Sequence, residues 1–244
     1  MSDQASTIMV NTLEPQSGTT LTVGKSGQNL VVNADSLKAI VAKDAGGNAV
    51  FTSDGSGNLS GLNSAFGSAQ TLIQSQTFTD QATVSFTTGI DSTYKEYYFE
   101  FITLNPATDG AEFAFQGSTD SGSNYNVTIT SSYFRAHHSE ADTESGLAYE
   151  GTGDQAQGTA FQYLGENIGN DADSCLVGTL SLFNLASTTY VKNFYATMQM
   201  HLQDNQTYES CPAGYFNTTS AINAIQFKML SGNFDGTIKL YGIS

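Results

Sequence analysis

Between Tyr94 and Leu104 the chain reads Tyr-Lys-Glu-Tyr-Tyr-Phe-Glu-Phe-Ile-Thr-Leu, and this run constrains the fold more than any other. In an extended chain, successive side chains point to opposite faces, so Tyr97, Phe99 and Phe101 share one face while Glu96, Glu100 and Ile102 share the other. A helix would scatter the same aromatics around its circumference. The run therefore predicts a half-buried strand, and similar runs follow it. Phe113 and Phe115 alternate within Glu112 to Gln116, and Tyr125 to Phe134 is β-prone. Six further candidates are Thr159 to Ile168, Cys175 to Leu185, Tyr190 to Leu202, Ala213 to Phe216, Ile222 to Leu230 and Thr237 to Tyr241.

Composition agrees with that pattern. The 244 residues include 24 Gly, 3 Pro, 12 Tyr and 15 Phe, and abundant Ser, Thr and Asn supply turns rather than helices. Many strands joined by Gly- and Asn-bearing turns predict an all-β fold, a two-sheet sandwich with jelly-roll-like character. The turn Ser231-Gly-Asn-Phe-Asp-Gly236 is expected to join the last two strands as a hairpin.

Aromatic residues and charge divide the chain unevenly. Only Phe51 and Phe66 precede position 72, and residues 1–71 hold five acids and three bases, leaving 18 of the 23 acids and five of the eight bases to residues 72–244. A boundary near 62–72 follows, separating an N-terminal β-hairpin attachment and oligomerisation module, 1–71, from a C-terminal β-sandwich, 72–244. In the first part, Thr19 to Val23 and Asn29 to Val32 flank a turn at Gly24 to Gln28. Asp44-Ala-Gly-Gly-Asn48 and Asp54-Gly-Ser-Gly-Asn58 then punctuate a small meander of Ile40 to Lys43, Ala49 to Ser53 and Leu59 to Leu62. So thin a strip buries little apolar surface alone and calls for a partner surface, such as identical copies about a three-fold axis. Residues 62–73 read either as a turn or two of helix or as a linker.

The formal net charge of −15 repels phosphate backbones and anionic headgroups, so neither nucleic acid nor membrane is expected as a partner. No stretch reaches the roughly 20 apolar residues of a membrane-spanning helix, and the start Met1-Ser-Asp-Gln lacks the basic and apolar regions of a secretory signal. Synthesis in a host cytoplasm is expected. Cys175 and Cys211 allow at most one disulfide, which a reducing compartment disfavours. The sequons at Asn58, Asn126, Asn205 and Asn217 arise by chance in a chain this rich in Asn, Ser and Thr.

No constellation of residues commits the chain to chemistry. His138, Glu140 and Asp142 would share a face in an extended segment, with adjacent His137 opposite, and could be imagined as metal ligands. A solvated polar loop is the plainer reading. Between Arg135 and Lys192 lie Glu140, Asp142, Glu144, Glu150, Asp154, Glu166, Asp171 and Asp173 without an intervening base, read as exposed acidic loops. Weak Ca²⁺ binding stays open there, without a Ca²⁺-loop spacing to define it. Gly55 to Gly61 runs one residue off the spacing of a dinucleotide fingerprint, and no nucleophile elbow or zinc-protease motif is present. Two carboxylates suited to glycoside hydrolysis could still converge unseen. Tyr125, Tyr133, Tyr149, Tyr163 and Tyr208 are expected in or beside loops, where a Tyr can stack on a sugar, although most aromatics at this density fill cores. No catalytic, cofactor-binding or metal-binding residue is assigned, no cofactor is expected, and the chain is read as a non-enzyme.

Five segments carry a resemblance. Ile8-Met-Val-Asn-Thr-Leu-Glu-Pro-Gln-Ser-Gly-Thr-Thr-Leu-Thr-Val-Gly24 resembles the opening of tail-fibre-type structural proteins of marine phages, and Lys43 to Asn58 resembles their next hairpins. Gly89 to Tyr97, Phe216 to Ile222 and Ser231 to Ile238 are similar to a domain recurring in such phage proteins. The resemblance implies a virion-surface appendage, a short tail fibre or spike, or alternatively a capsid head fibre or decoration protein. It would bind other virion proteins through its N-terminal module, assemble as a homotrimer and expose its sandwich for adhesion, with a host surface glycan as a possible partner. A polysaccharide depolymerase is the enzymatic alternative. Nothing between 24 and 72 is long enough for an extended shaft.

Overall fold

The structure is a computed structural model that describes residues 41–43, 49–53, 59–60 and 69–243. The chain divides into two compact units, Met1–Phe66 and Gly67–Ser244. In the first unit, strands β1 (Val41–Lys43), β2 (Ala49–Ser53) and β3 (Leu59–Ser60) form an antiparallel three-stranded sheet in sequence order. This is the expected meander. The turns between its strands and the expected hairpin around Gly24 to Gln28 lie outside the described residues.

The second unit is all-β, with no helix among the described residues. Its strands are β4 (Gln70–Gln81), β5 (Val84–Phe86), β6 (Glu96–Pro106), β7 (Ala111–Ser118), β8 (Ile129–Ser139), β9 (Ser145–Tyr149), β10 (Gln162–Ile168), β11 (Leu176–Phe183), β12 (Lys192–His201), β13 (Gln206–Phe216), β14 (Ala224–Met229) and β15 (Phe234–Ile243). They form an eight-stranded sheet ordered β4-β15-β6-β11-β12-β13-β8-β9 and a four-stranded sheet ordered β10-β7-β14-β5, antiparallel throughout. The expected sandwich is therefore present, with sheets of unequal width.

β6 explains how alternation builds the core. Tyr97, Phe99 and Phe101 are buried, whereas Glu96, Glu100 and Ile102 are partly exposed. At Thr103 the backbone turns to a positive φ of 47°, and the inward phase moves to Leu104 and Pro106. The register with β11 and with β15 shifts at this level, as a β-bulge requires. Across the interface, Phe227 of β14 lies 4.9 Å from Phe99 and 5.2 Å from Phe101 in edge-on contacts, and Phe113 of β7 lies 5.2 Å from Phe101. Ring quadrupoles favour this edge-to-face geometry, which ties the two sheets together.

Two buried glutamines fasten loops to the smaller sheet. Gln116 Nε2 donates to the carbonyls of Val127 (3.1 Å), Thr159 (3.2 Å) and Ala160 (2.8 Å). Gln162 accepts from Ser131 Oγ at 2.6 Å and donates to Gly153 O at 2.7 Å. Buried amides of this kind must find partners, so they fix the path of loops that carry little apolar weight of their own.

Several expectations change. Residues 70–73, read as helix or linker, begin β4, whose Phe78 lies 4.8 Å from Phe234. The segment after Phe134, read as a polar loop, continues β8 through His137 and His138 and returns as β9. Cross-strand hydrogen bonding overrides the polar composition there. Cys175, just before β11, and Cys211 of β13 are both free thiols.

Candidate functional site

β10 is the edge of the small sheet and lies over β12 and β13, so β8 and β9 extend past it. Where the cover stops, a cleft of about 310 Å³ opens on the inward side of the large sheet. β8 brings Arg135 and His137 to it, and the segment after β9 brings Glu150 and Thr152. β10 contributes Glu166, and β13 contributes Tyr208. A second depression of about 320 Å³ near Tyr94 and Asn184 has Lys95 as its only charged lining residue. Convergence of ionisable groups makes the first cleft the candidate site.

Each side chain reaches the cleft for a local reason. On β8, Tyr133, Arg135 and His137 alternate with outward Phe134, Ala136 and His138. His137 pairs across the strands with Gly146, where an added Cβ would come 2.9 Å from the imidazole. Glycine thus makes room for the ring. Behind the site, Gly153 lies flat on Tyr133, with space for a Cβ only 3.0 Å from the ring. On β10, Gln162, Leu164, Glu166 and Ile168 are all buried, which carries Glu166 inward on the face that its apolar neighbours define.

The polar contacts form a chain. Arg135 Nε donates to Glu150 Oε2 at 3.0 Å, and its Nη1 lies 3.3 Å from His137 Nδ1. A guanidinium can only donate, so Nδ1 accepts and the imidazole proton sits on Nε2. Nε2 faces Glu144 Oε1 at 3.7 Å. The Arg135 guanidinium also covers the Tyr208 ring, 5.3 Å from its centroid, as a cation–π contact. Tyr208, itself buried, donates its hydroxyl to Glu166 Oε1. Among the described residues, neither Arg135 Nη2 nor Glu166 Oε2 has a hydrogen-bond partner.

Two carboxyl groups in this cleft are pushed in opposite directions. Glu166 is only 8% exposed, and burial raises its pKa above the ordinary carboxylate value. The nearby charge of Glu150 raises it further, against the Tyr208 hydrogen bond and the Arg135 charge. Glu150 is held below its ordinary value, first by the Thr152 hydroxyl at 2.7 Å and also by Arg135. Burial drives the Tyr208 hydroxyl upward, and donation to Glu166 adds to the rise. The cleft therefore holds one carboxyl that favours its proton and one that favours its charge.

The residues singled out from sequence are distributed differently. His138 pairs with Asp142 at 3.2 Å across the β8–β9 turn, and Glu140 faces His201 at 3.6 Å, so His138, Glu140 and Asp142 share no face. No cluster suited to a metal ion occurs among the described residues. Glu166 lies in a strand rather than an exposed acidic loop, and Glu150 is ion-paired. Tyr133 and Tyr208 are buried within strands; Tyr149 is 60% exposed. Arg135 and Glu166 went unassigned although both sit in phase with buried strand neighbours, and that phase is the signal that identifies them.

No family model, curated protein or solved structure matches the chain. The site is therefore read from its own chemistry.

Proposed function

We propose that the chain is a non-enzymatic structural and adhesion protein on the surface of a phage particle, attached through its N-terminal unit. The cleft at Arg135 and Glu166 would be its contact with a host surface glycan. The observation that carries the adhesive part is the open polar cleft, in which Arg135 Nη2 and Glu166 Oε2 have no partner among the described residues. A sugar presents paired hydroxyl donors and acceptors, and an arginine donor beside a carboxyl meets both needs. The virion part is supported by the resemblance of Ile8 to Gly24 and Lys43 to Asn58 to phage appendage proteins, and by the division into a smaller unit, whose described residues form a three-stranded sheet, and a larger sandwich.

A short tail fibre or spike is the first form of this reading, with a head fibre or capsid decoration as the alternative and a homotrimer as the expected assembly. Mass spectrometry of purified virions tests it: the chain should be present in stoichiometric amount, and its absence would sink the reading. Binding of the isolated chain to purified host glycan, lost in Glu166→Ala, tests the cleft.

The opposite directions of Glu150 and Glu166 favour a second reading, a polysaccharide depolymerase in which Glu166 donates the proton. Release of reducing sugar from host glycan, abolished in Glu166→Gln, would select it over adhesion.

A further inference from the structure

The large sheet has a second face, turned away from the sandwich core. One cross-strand row on it is fixed by register: Tyr241 is opposite Tyr98, Tyr98 opposite Ser181, Ser181 opposite Tyr195, and Tyr195 opposite Ala213. Tyr98 and Tyr241 lie 6.1 Å apart, and Phe183 stacks on Tyr195 at 5.6 Å. Toward the β9 edge, Phe134 is opposite Tyr149 and Ala136 is opposite Leu147. Tyr195, Phe134, Tyr149 and Leu147 are 54%, 48%, 60% and 75% exposed, although each has large apolar surface.

Charge is sparse within this face and gathers at its rim, where Tyr149 donates its hydroxyl to Asp154 and where His138 and His201 face Asp142 and Glu140. Among the described residues pointing outward from β11, β12, β13, β8 and β9, Glu209 is the only carboxylate, and none is Lys or Arg. On the adjoining β6 and β15, Glu100 is ion-paired to Lys239 at 3.3 Å, and Glu96 accepts a hydrogen bond from Ser181 at 2.9 Å. A chain of net charge −15 repels its own copies almost everywhere. Copies approach most readily where charge is sparse, and this face combines that sparseness with Tyr and Phe, the composition of interface cores. Strand spacing of about 4.8 Å and a rise of about 3.3 Å per residue give the strands from β15 to β9 a footprint on the order of 900 Å². A standard interface takes about 800 Å² from each partner, so the footprint suffices.

We propose that the outward face of the eight-stranded sheet, centred on Tyr195 and extending to Phe134 and Tyr149, is where a second copy of this chain packs. A cationic partner would be drawn instead to the acidic turns. The proposal does not depend on the virion reading, because self-association through this face would hold for any biological role.

Cys211 reports on the face directly, since it lies opposite Phe134 in the register. In full-length Cys175→Ser protein, maleimide labelling of Cys211 should be slow at high protein concentration and fast on dilution, in step with the mass seen by sedimentation equilibrium. Tyr195→Glu should raise the dissociation constant roughly 30-fold or more, as for an interface hot spot, and make labelling fast at both concentrations. Leu147→Asp, at a side chain too exposed to matter for folding, should weaken assembly in the same sense. Three results would overturn the proposal. Assembly with Cys211 freely labelled would place the contact elsewhere, in the N-terminal unit. A monomer with Cys211 protected at every dilution would mean that the same chain covers the face, and a monomer with Cys211 always open would mean that no copy packs there.

Discussion

The inward face of the large sheet has two fates within one molecule. Beneath β7 and β14 it carries Phe99 and Phe101, packed edge-on against Phe113 and Phe227. Past β10 the same face carries Arg135, which bonds to Glu150, and His137, which accepts from Arg135. Strand geometry is alike in both places; the difference is cover. Where a second sheet excludes water, aromatics gain from burial, and where it stops, the strands present polar groups to an open cleft. Stability should therefore concentrate at the phenylalanine end and ligand recognition at the arginine end.

The largest test of that division is Phe227→Ala. Phe227 has Phe86, Phe99, Phe101, Phe113 and Phe115 as ring neighbours within 6.3 Å. Its truncation leaves a cavity between the sheets and should cost about 3–5 kcal/mol, read from the urea unfolding midpoint. Glycan binding by the variant that remains folded should be unchanged. A cost below about 1 kcal/mol would mean that the sheets are not held by this cluster.

Between the two regimes lies the buried pair Tyr208–Glu166. Tyr208→Phe keeps the ring and removes the donor to Glu166 Oε1, leaving a buried carboxyl oxygen without that bond. The expected cost is about 1–3 kcal/mol, again by urea unfolding. Equal stability of the variant and wild type would show that water takes the place of the hydroxyl.

The same pair sets a pH dependence. Glu166 has a folded-state pKa raised above its model value of 4.5, with burial as the main cause. A carboxyl of this kind contributes stability that is fully present below the unfolded value and is lost as pH rises through the folded value. Glu150 and Asp120 behave oppositely. Thr152 holds Glu150 low, and the Ser118 and Asn124 hydrogen bonds take Asp120 to about 2, so their contributions are lost as pH falls through the acidic range. Above that range the wild type should lose stability relative to Glu166→Gln, which cannot ionise. Melting curves at about pH 5 and pH 8 should show a smaller drop in the variant; equal drops would remove Glu166 as the cause.

Much of the sandwich was legible because alternation reports burial. Tyr97, Phe99 and Phe101 marked β6, and the three short strands of the small meander were legible as β-prone runs between Gly- and Asn-bearing segments. The parts that escaped are those in which backbone pairing outweighs composition. Ser145–Tyr149 has no buried residue and is a strand only because β8 supplies hydrogen-bonding partners. Gln70–Ile73 is held by β15, a neighbour more than 150 residues away in sequence. The cleft was illegible for a related reason. Arg135, Glu150, Glu166 and Tyr208 come from four separate segments, and only the stagger between a wide and a narrow sheet brings them together. Acidic composition between 140 and 173 suggested solvated loops, but Glu166 follows Leu164 in strand phase, and phase outweighs polarity when a partner hydroxyl waits inside.

The smallest stability effect belongs to Arg135, and it is the sharpest test of the division. Its ion pair with Glu150 is partly exposed, at 28% and 20% of the two side chains, so water screens it and Arg135→Met should cost no more than about 1 kcal/mol. The methionine retains apolar contact with the Tyr208 ring while removing the free Nη2 donor and the bond to His137. If the uncovered end serves recognition, this variant should unfold close to wild type yet lose host-glycan binding, measured by calorimetry on the same sample. Loss of stability together with binding would make Arg135 a structural tie like Phe227, and the contrast between the two ends of the sheet would collapse.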